Sequence, residues 1–190
     1  DMANASSLKF SGDVSDGTTE YIDVAKVAAN ANLPRIPVGE SGYMKISGTT
    51  ASWNALPIFI TPQASASVVS QYKYLEFWYY NPNGGKAIVA GNWSEVATGA
   101  DVQWYKVSIS IADYYTANNE GWYDALSSWL PFLQFRGTGG GAYTTVYITS
   151  IYLTNETVAE ESGEELANGL FFDMANASSL KFSGDVSDGT

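Results

Sequence analysis

Apolar residues recur along this chain in short runs with a period of two, separated by clusters of Gly, Asn, Pro and Asp. That alternation is the signature of half-buried strands joined by turns. Nine runs fit it: Ser7 to Gly12 (SLKFSG), Glu20 to Ala25 (EYIDVA), Gly42 to Gly48 (GYMKISG), Leu56 to Thr61 (LPIFIT) and Tyr72 to Tyr80 (YKYLEFWYY). Lys86 to Trp93 (KAIVAGNW), Val102 to Ile111 (VQWYKVSISI), Phe132 to Gly137 (FLQFRG) and Thr145 to Thr154 (TVYITSIYLT) complete the set. The pattern predicts an all-β fold, a jelly-roll β-sandwich of two antiparallel sheets. The tract NPNGG from Asn81 to Gly85 suits a hairpin, and GTGGGA from Gly137 to Ala142 a flexible loop before the last strand. One short helix is predicted over Trp122 to Trp129.

A longer-range pattern overlies the strands. DMANASSLKFSGDVSDGT runs from Asp1 to Thr18 and again from Asp173 to Thr190, a period of 173 − 1 = 172 residues. The chain therefore reads as one repeat and the start of the next. The expected plan is a sandwich over 1–155, an acidic linker over 156–169, and the first-strand region of a following repeat over 170–190. Leu170, Phe171 and Phe172 run into the duplicated segment, so the natural unit is expected to begin near Gly169. With Leu180 and Phe182 they form the predicted contact between neighbouring repeats, a shared strand or a tight seam.

Side chains alternate faces along a strand, which sorts the aromatic runs. In YKYLEFWYY, Leu75, Phe77 and Tyr79 oppose Tyr74, Glu76, Trp78 and Tyr80. In VQWYKVSISI, Tyr105, Val107, Ile109 and Ile111 oppose Trp104, Lys106, Ser108 and Ser110; in FLQFRG, Leu133 and Phe135 oppose Gln134 and Arg136. With the aliphatic faces inside, the outward set is Tyr74, Glu76, Trp78, Tyr80, Trp104, Lys106, Gln134 and Arg136. Flat rings stack on the apolar faces of sugars while Glu, Gln and Arg read hydroxyls, so this set is the candidate glycan-binding face. Plain sheet packing is the competing reading of the same residues. A second aromatic group, Trp93, Trp122, Tyr123, Trp129 and Tyr143, falls in or beside loops.

Composition narrows the function classes. At 45% hydrophobic and 14% aromatic residues the chain is no disordered segment. A net charge of −11, from 20 acidic and 9 basic residues, repels phosphate backbones and anionic lipid, so neither nucleic acid nor a membrane surface is an expected partner. Cys and His are both absent, which removes thiol nucleophiles, His-based triads and the common zinc sites. A cysteine-free array avoids mispaired thiols, which points to an extracellular or cell-surface setting. Glu76 has no second acid at a nameable separation, so glycosidase chemistry is not expected. Asp13, Asp16 and Asp173 are the candidate calcium ligands, with an ordinary Asp-rich turn as the alternative. Lys9, Asn155 and Glu76 are the residues that an intramolecular Lys–Asn cross-link would need.

YKYLEFWYYNP, WYKVSISIADY and LQFRGTGGGAYTTVYITSIYLTN resemble the central and final strands of carbohydrate-binding-module jelly rolls, within the galactose-binding-like group. The resemblance spans Ser7 to Asn155 and implies a two-sheet sandwich that binds glycans and carries a structural calcium; no contiguous calcium loop is evident. The duplicated segment makes the chain similar also to tandem-repeat domains of long prokaryotic surface proteins. The first expectation is a non-catalytic structural repeat of an extracellular stalk, adhesin or filament, with neighbouring repeats as partners and no cofactor beyond that calcium. The alternative is a carbohydrate-binding module repeated for avidity.

Overall fold

The computed structural model describes residues 8–10, 14–60, 71–84, 88–90, 94–96, 99–113 and 133–155. In chain order these form β1 (Leu8–Phe10), β2 (Thr18–Asp23), α1 (Val24–Ala29), β3 (Gly42–Thr49), β4 (Ala55–Ile60), β5 (Tyr74–Tyr80) and β6 (Ile88–Ala90). They continue with β7 (Ser94–Val96), β8 (Trp104–Ser110), β9 (Leu133–Arg136), β10 (Tyr143–Ile148) and β11 (Tyr152–Thr154). All nine predicted runs hold strands, and β7 lies beyond them.

Two antiparallel sheets result. One has the order β1-β4-β9-β6-β7. In the other β2, β3, β10 and β5 follow one another, and β8 pairs along all seven residues of β5. Because β8 takes one whole edge of β5, β10 and β11 share the other, end to end. Counting from β3 to β10, one sheet holds the first, eighth, third and sixth strands and the other the second, seventh, fourth and fifth. That order is a jelly roll, with β1 and β2 added at the edges and β11 prolonging β10.

The core fills the gap between the sheets. Met44, Ile46, Leu75, Phe77, Val107, Ile109, Val146 and Ile148 face Leu56, Ile58, Ile88, Leu133 and Phe135. Tyr79 stacks on Phe135 across the gap, with ring centroids 5.6 Å apart and planes 9° from parallel. Its hydroxyl accepts a hydrogen bond from Asn81 Nδ2 at 3.1 Å, which satisfies a polar atom that burial would otherwise strand.

Two runs are divided. EYIDVA is strand as far as Asp23 and helix from Val24, because Asp23 acts as an N-cap, its carboxylate accepting from the Lys26 N–H at 2.9 Å, and VAKVAA supplies helix-forming alanines. TVYITSIYLT breaks into β10 and β11. Ile148 pairs with Tyr79 and Tyr152 with Glu76, so four steps on one strand match three on the other, a one-residue bulge. Thr149 fills it: its N–H donates to Trp78 O at 3.1 Å and its Oγ1 accepts from Trp78 N at 2.9 Å. Val146 and Ile148 point into the core before the bulge, Ile151 and Leu153 after it. The alternation thus shifts by one, and Tyr152 emerges on the outer face.

The helix expected over Trp122 to Trp129, the linker over 156–169 and the seam residues Leu170, Phe171, Phe172, Leu180 and Phe182 lie outside the described residues.

Phe135→Ala removes the ring that Tyr79 stacks on and leaves a cavity between the sheets. It is expected to cost about 3–5 kcal/mol, read as a lowered urea midpoint at unchanged slope.

Candidate functional site

The outer face of the β2-β3-β10-β5-β8 sheet carries a belt of rings. Antiparallel register sets Tyr80 opposite both Trp104 and Tyr147, and Trp78 opposite Lys106. Tyr43 on β3 comes within 5.2 Å of Trp104 on β8, centroid to centroid. Two strands separate β3 from β8, a span of about 14 Å on a flat sheet. The sheet therefore curls toward this side and the face is concave. Tyr43 meets Tyr147 edge-on at 5.4 Å, and Tyr80 contacts Trp104 and Tyr147 at 5.4 and 5.7 Å.

The belt is covered by the protein's own chain. Residues 24–41, from α1 to the start of β3, form a strap whose Val27, Leu33 and Ile36 pack on Ile22, Tyr43, Trp78, Trp104 and Tyr147. Trp104 Nε1 donates to Arg35 O at 2.7 Å and the Tyr43 hydroxyl to Pro34 O at 2.8 Å. Trp78 and Trp104 are consequently only 4% and 5% exposed. Burial pushes the Tyr80, Tyr147 and Tyr43 hydroxyls above the ordinary tyrosine range.

Beyond the strap, toward the start of β5, the face opens. Tyr152 is 52% exposed, and its hydroxyl donates to Glu40 Oε2 at 3.4 Å at the strap's end. Its strand partner Glu76 is buried, with Lys106 Nζ 3.9 Å from its carboxylate. Tyr74 and Ser110, cross-strand partners, are half-buried. Partial burial raises the Glu40 carboxyl above the usual range, while the Tyr152 hydrogen bond and the charge of Lys106 pull the other way. One flat exposed ring is thus bordered by a lysine, two carboxylates and a hydroxyl.

Six of the eight predicted glycan-binding residues, Tyr74, Glu76, Trp78, Tyr80, Trp104 and Lys106, lie on this one face. Gln134 and Arg136 do not. They sit on β9 in the other sheet, on the opposite side of the sandwich. Gln134 is 2% exposed, and Arg136 bonds Glu95 Oε1 and Trp53 O, both at 3.0 Å. Alternation distinguishes in from out; it does not say which sheet. Tyr152 and Glu40 join the face from outside that set. The first was legible in the shift of apolar phase across Thr149 and Ser150; the second had no local signal, because only the strap brings it to the face.

The remaining candidates separate. Asp16 spends both carboxylate oxygens on Thr49, accepting from its N–H at 2.8 Å and its Oγ1 at 2.6 Å, while Asp13 and Asp173 fall outside the described residues. No cluster of three or more acids occurs among the described residues. Of the loop aromatics Tyr143 is described, and it is exposed. Of the cross-link trio, Lys9 lies on β1 in one sheet, while Glu76 and the end of β11 before Asn155 belong to the other.

No protein-family model and no curated protein matches the sequence. Among solved structures the chain is similar to the family 11 carbohydrate-binding module of a cellulosomal cellulase of Clostridium thermocellum: 9% identity, 78% of this chain and 86% of that one, TM-score 0.44. The same module in complex with a β-1,3-1,4-mixed-linked tetrasaccharide gives 9% identity, 78% and 89% coverage and TM-score 0.43. A solution structure of CtCBM11 gives 12%, 83% and 100%, and 0.40.

Two predictions follow from the anchoring bonds. Trp104→Phe keeps the ring but strands Arg35 O; a loss of about 1 kcal/mol in stability is expected, with faster amide exchange in residues 30–38. Asp16 titrates below the ordinary aspartate range because Thr49 bonds its charged form. Its contribution is full above the unfolded pKa, near pH 4, and is lost as pH falls through the lower folded value. Asp16→Asn should therefore flatten the acid limb of a melting-temperature profile below about pH 4.

Proposed function

We propose that this sandwich is a non-catalytic carbohydrate-binding module, repeated along its parent chain so that weak single sites gain by avidity. The observation that carries the reading is the open end of the concave face. There the bulge presents Tyr152 outward, beside Glu40, Glu76, Lys106 and Tyr74. A flat ring offers a stacking surface for the C–H face of a pyranose, and the surrounding acids and lysine offer acceptors and donors for hydroxyls. The strap closes the same face over Trp78 and Trp104. The ligand would therefore lie against the strap's edge and not across the whole belt.

Such a module acts outside the cell or at its surface, where polysaccharide is met. No helix among the described residues is long and apolar enough to cross a membrane.

A second reading, a rigid spacer in a surface stalk, adhesin or filament, is favoured by one specific observation. The 18-residue segment is duplicated without a single change, as in arrays whose copies exchange by recombination and carry no diversified sites.

The two readings part on one experiment with the full 190-residue chain: a glycan array and affinity gels of polysaccharides, mixed-linked β-glucan among them. Tyr152→Ala and Lys106→Ala are run beside Tyr143→Ala, which alters an exposed ring far from Tyr152. Retention on at least one glycan, weakened on the order of tenfold by Tyr152→Ala and unaffected by Tyr143→Ala, is the expected result. No retention on any glycan would leave the spacer in possession.

A further inference from the structure

The first strand docks on the rest of the sandwich through a small set of contacts. β1 pairs with β4 in the register Leu8↔Ile60, Lys9↔Phe59, Phe10↔Ile58, at the edge of its sheet. The Phe10 ring lies over Gly17, where even a Cβ would come within 2.5 Å of it. Val14 is buried in the core, and Asp16 holds both Thr49 N and Thr49 Oγ1. Each of these residues has an identical counterpart 172 positions further on: Leu180, Lys181, Phe182, Val186, Asp188 and Gly189.

From this we infer that the berth on β4, Thr49 and the core is shared: Asp173–Thr190 of the same chain docks there in exchange with Asp1–Thr18. Two segments of one sequence make the same contacts with one berth, so contact energy does not choose between them. The tethers do. The docked stretch of the first copy runs from Gly17 directly into Thr18 of β2, whereas 25 residues (179 − 154) separate β11 from Leu180. Twenty-five residues reach up to about 80 Å, against a domain roughly 40 Å across, so the second copy can reach the berth. Loop closure disfavours the longer tether. The first copy therefore holds the berth in most molecules and the second is its reserve. This inference is independent of glycan binding.

The test uses the whole chain with a charge placed in either copy or both. Val186→Asp should leave the urea transition unchanged. Val14→Asp should lower the folding equilibrium at least about tenfold less than the double variant does, because the second copy moves in. The double variant has no sound copy left, and a buried unpaired carboxylate should lower it at least about a hundredfold. Val14→Asp as damaging as the double variant would overturn the proposal, and so would a double variant as stable as the parent.

A second measurement avoids destabilised chains. The sequence has no cysteine, so Phe59→Cys with Lys181→Cys creates a single pair that cross-links only when the second copy sits in the register Lys9 now holds. Phe59→Cys with Lys9→Cys is the positive control. An intrachain disulfide in the first pair under slow oxidation is the expected result. No disulfide, or one formed only between chains, would refute docking within the chain.

Discussion

Strand β5 is buried on both faces, and the molecule is organised around that fact. Leu75, Phe77 and Tyr79 enter the gap between the sheets, while Trp78 and Tyr80 enter the ring belt on the other side. A strand with apolar side chains on both faces needs a cover on each. The second sheet provides one, and the strap, with its helix and prolines, provides the other. The curl of the sheet follows from the same demand, since rings rooted on strands β3 and β8 touch over the middle. What remains open to solvent is the margin that the strap does not reach.

The sequence was most informative where physics is local. A period of two exposed the strands and sorted each into inner and outer faces, and the burial of Val107, Ile109, Leu133 and Phe135 agrees with that sorting. It was silent about which strands share a sheet, which is why Gln134 and Arg136 stood with Trp78 in the sequence reading and stand apart in the fold. Pairing of strands distant in sequence depends on topology, and alternation carries none of it. The strap was hidden for another reason. Its residues have no periodicity, and Leu33, Pro34 and Ile36 gain meaning only through the rings beneath them.

The bulge at Thr149 shows how one residue redirects a surface. Without the extra step, Tyr152 would share the core phase of Ile148, and Ile151 and Leu153 would point to solvent. Thr149 supports the break because its hydroxyl accepts the Trp78 N–H, so the ladder bends without leaving that donor bare. Exposed ring and buried ladder are thus two outcomes of one local geometry.

The raised tyrosines of the belt bear on how the surface behaves toward its surroundings. The chain has no histidine and no cysteine, and burial moves the Tyr43, Tyr80 and Tyr147 hydroxyls further from neutrality. Histidine and cysteine are the side chains whose ordinary pKa values lie nearest neutrality, and the sequence holds neither to switch its charge there. The strongly negative field of the protein is thus set by its excess of carboxylates over lysine and arginine. Dissolved salt, which shortens the reach of that field to about 10 Å at 0.1 M, becomes the variable that governs how closely two such surfaces approach.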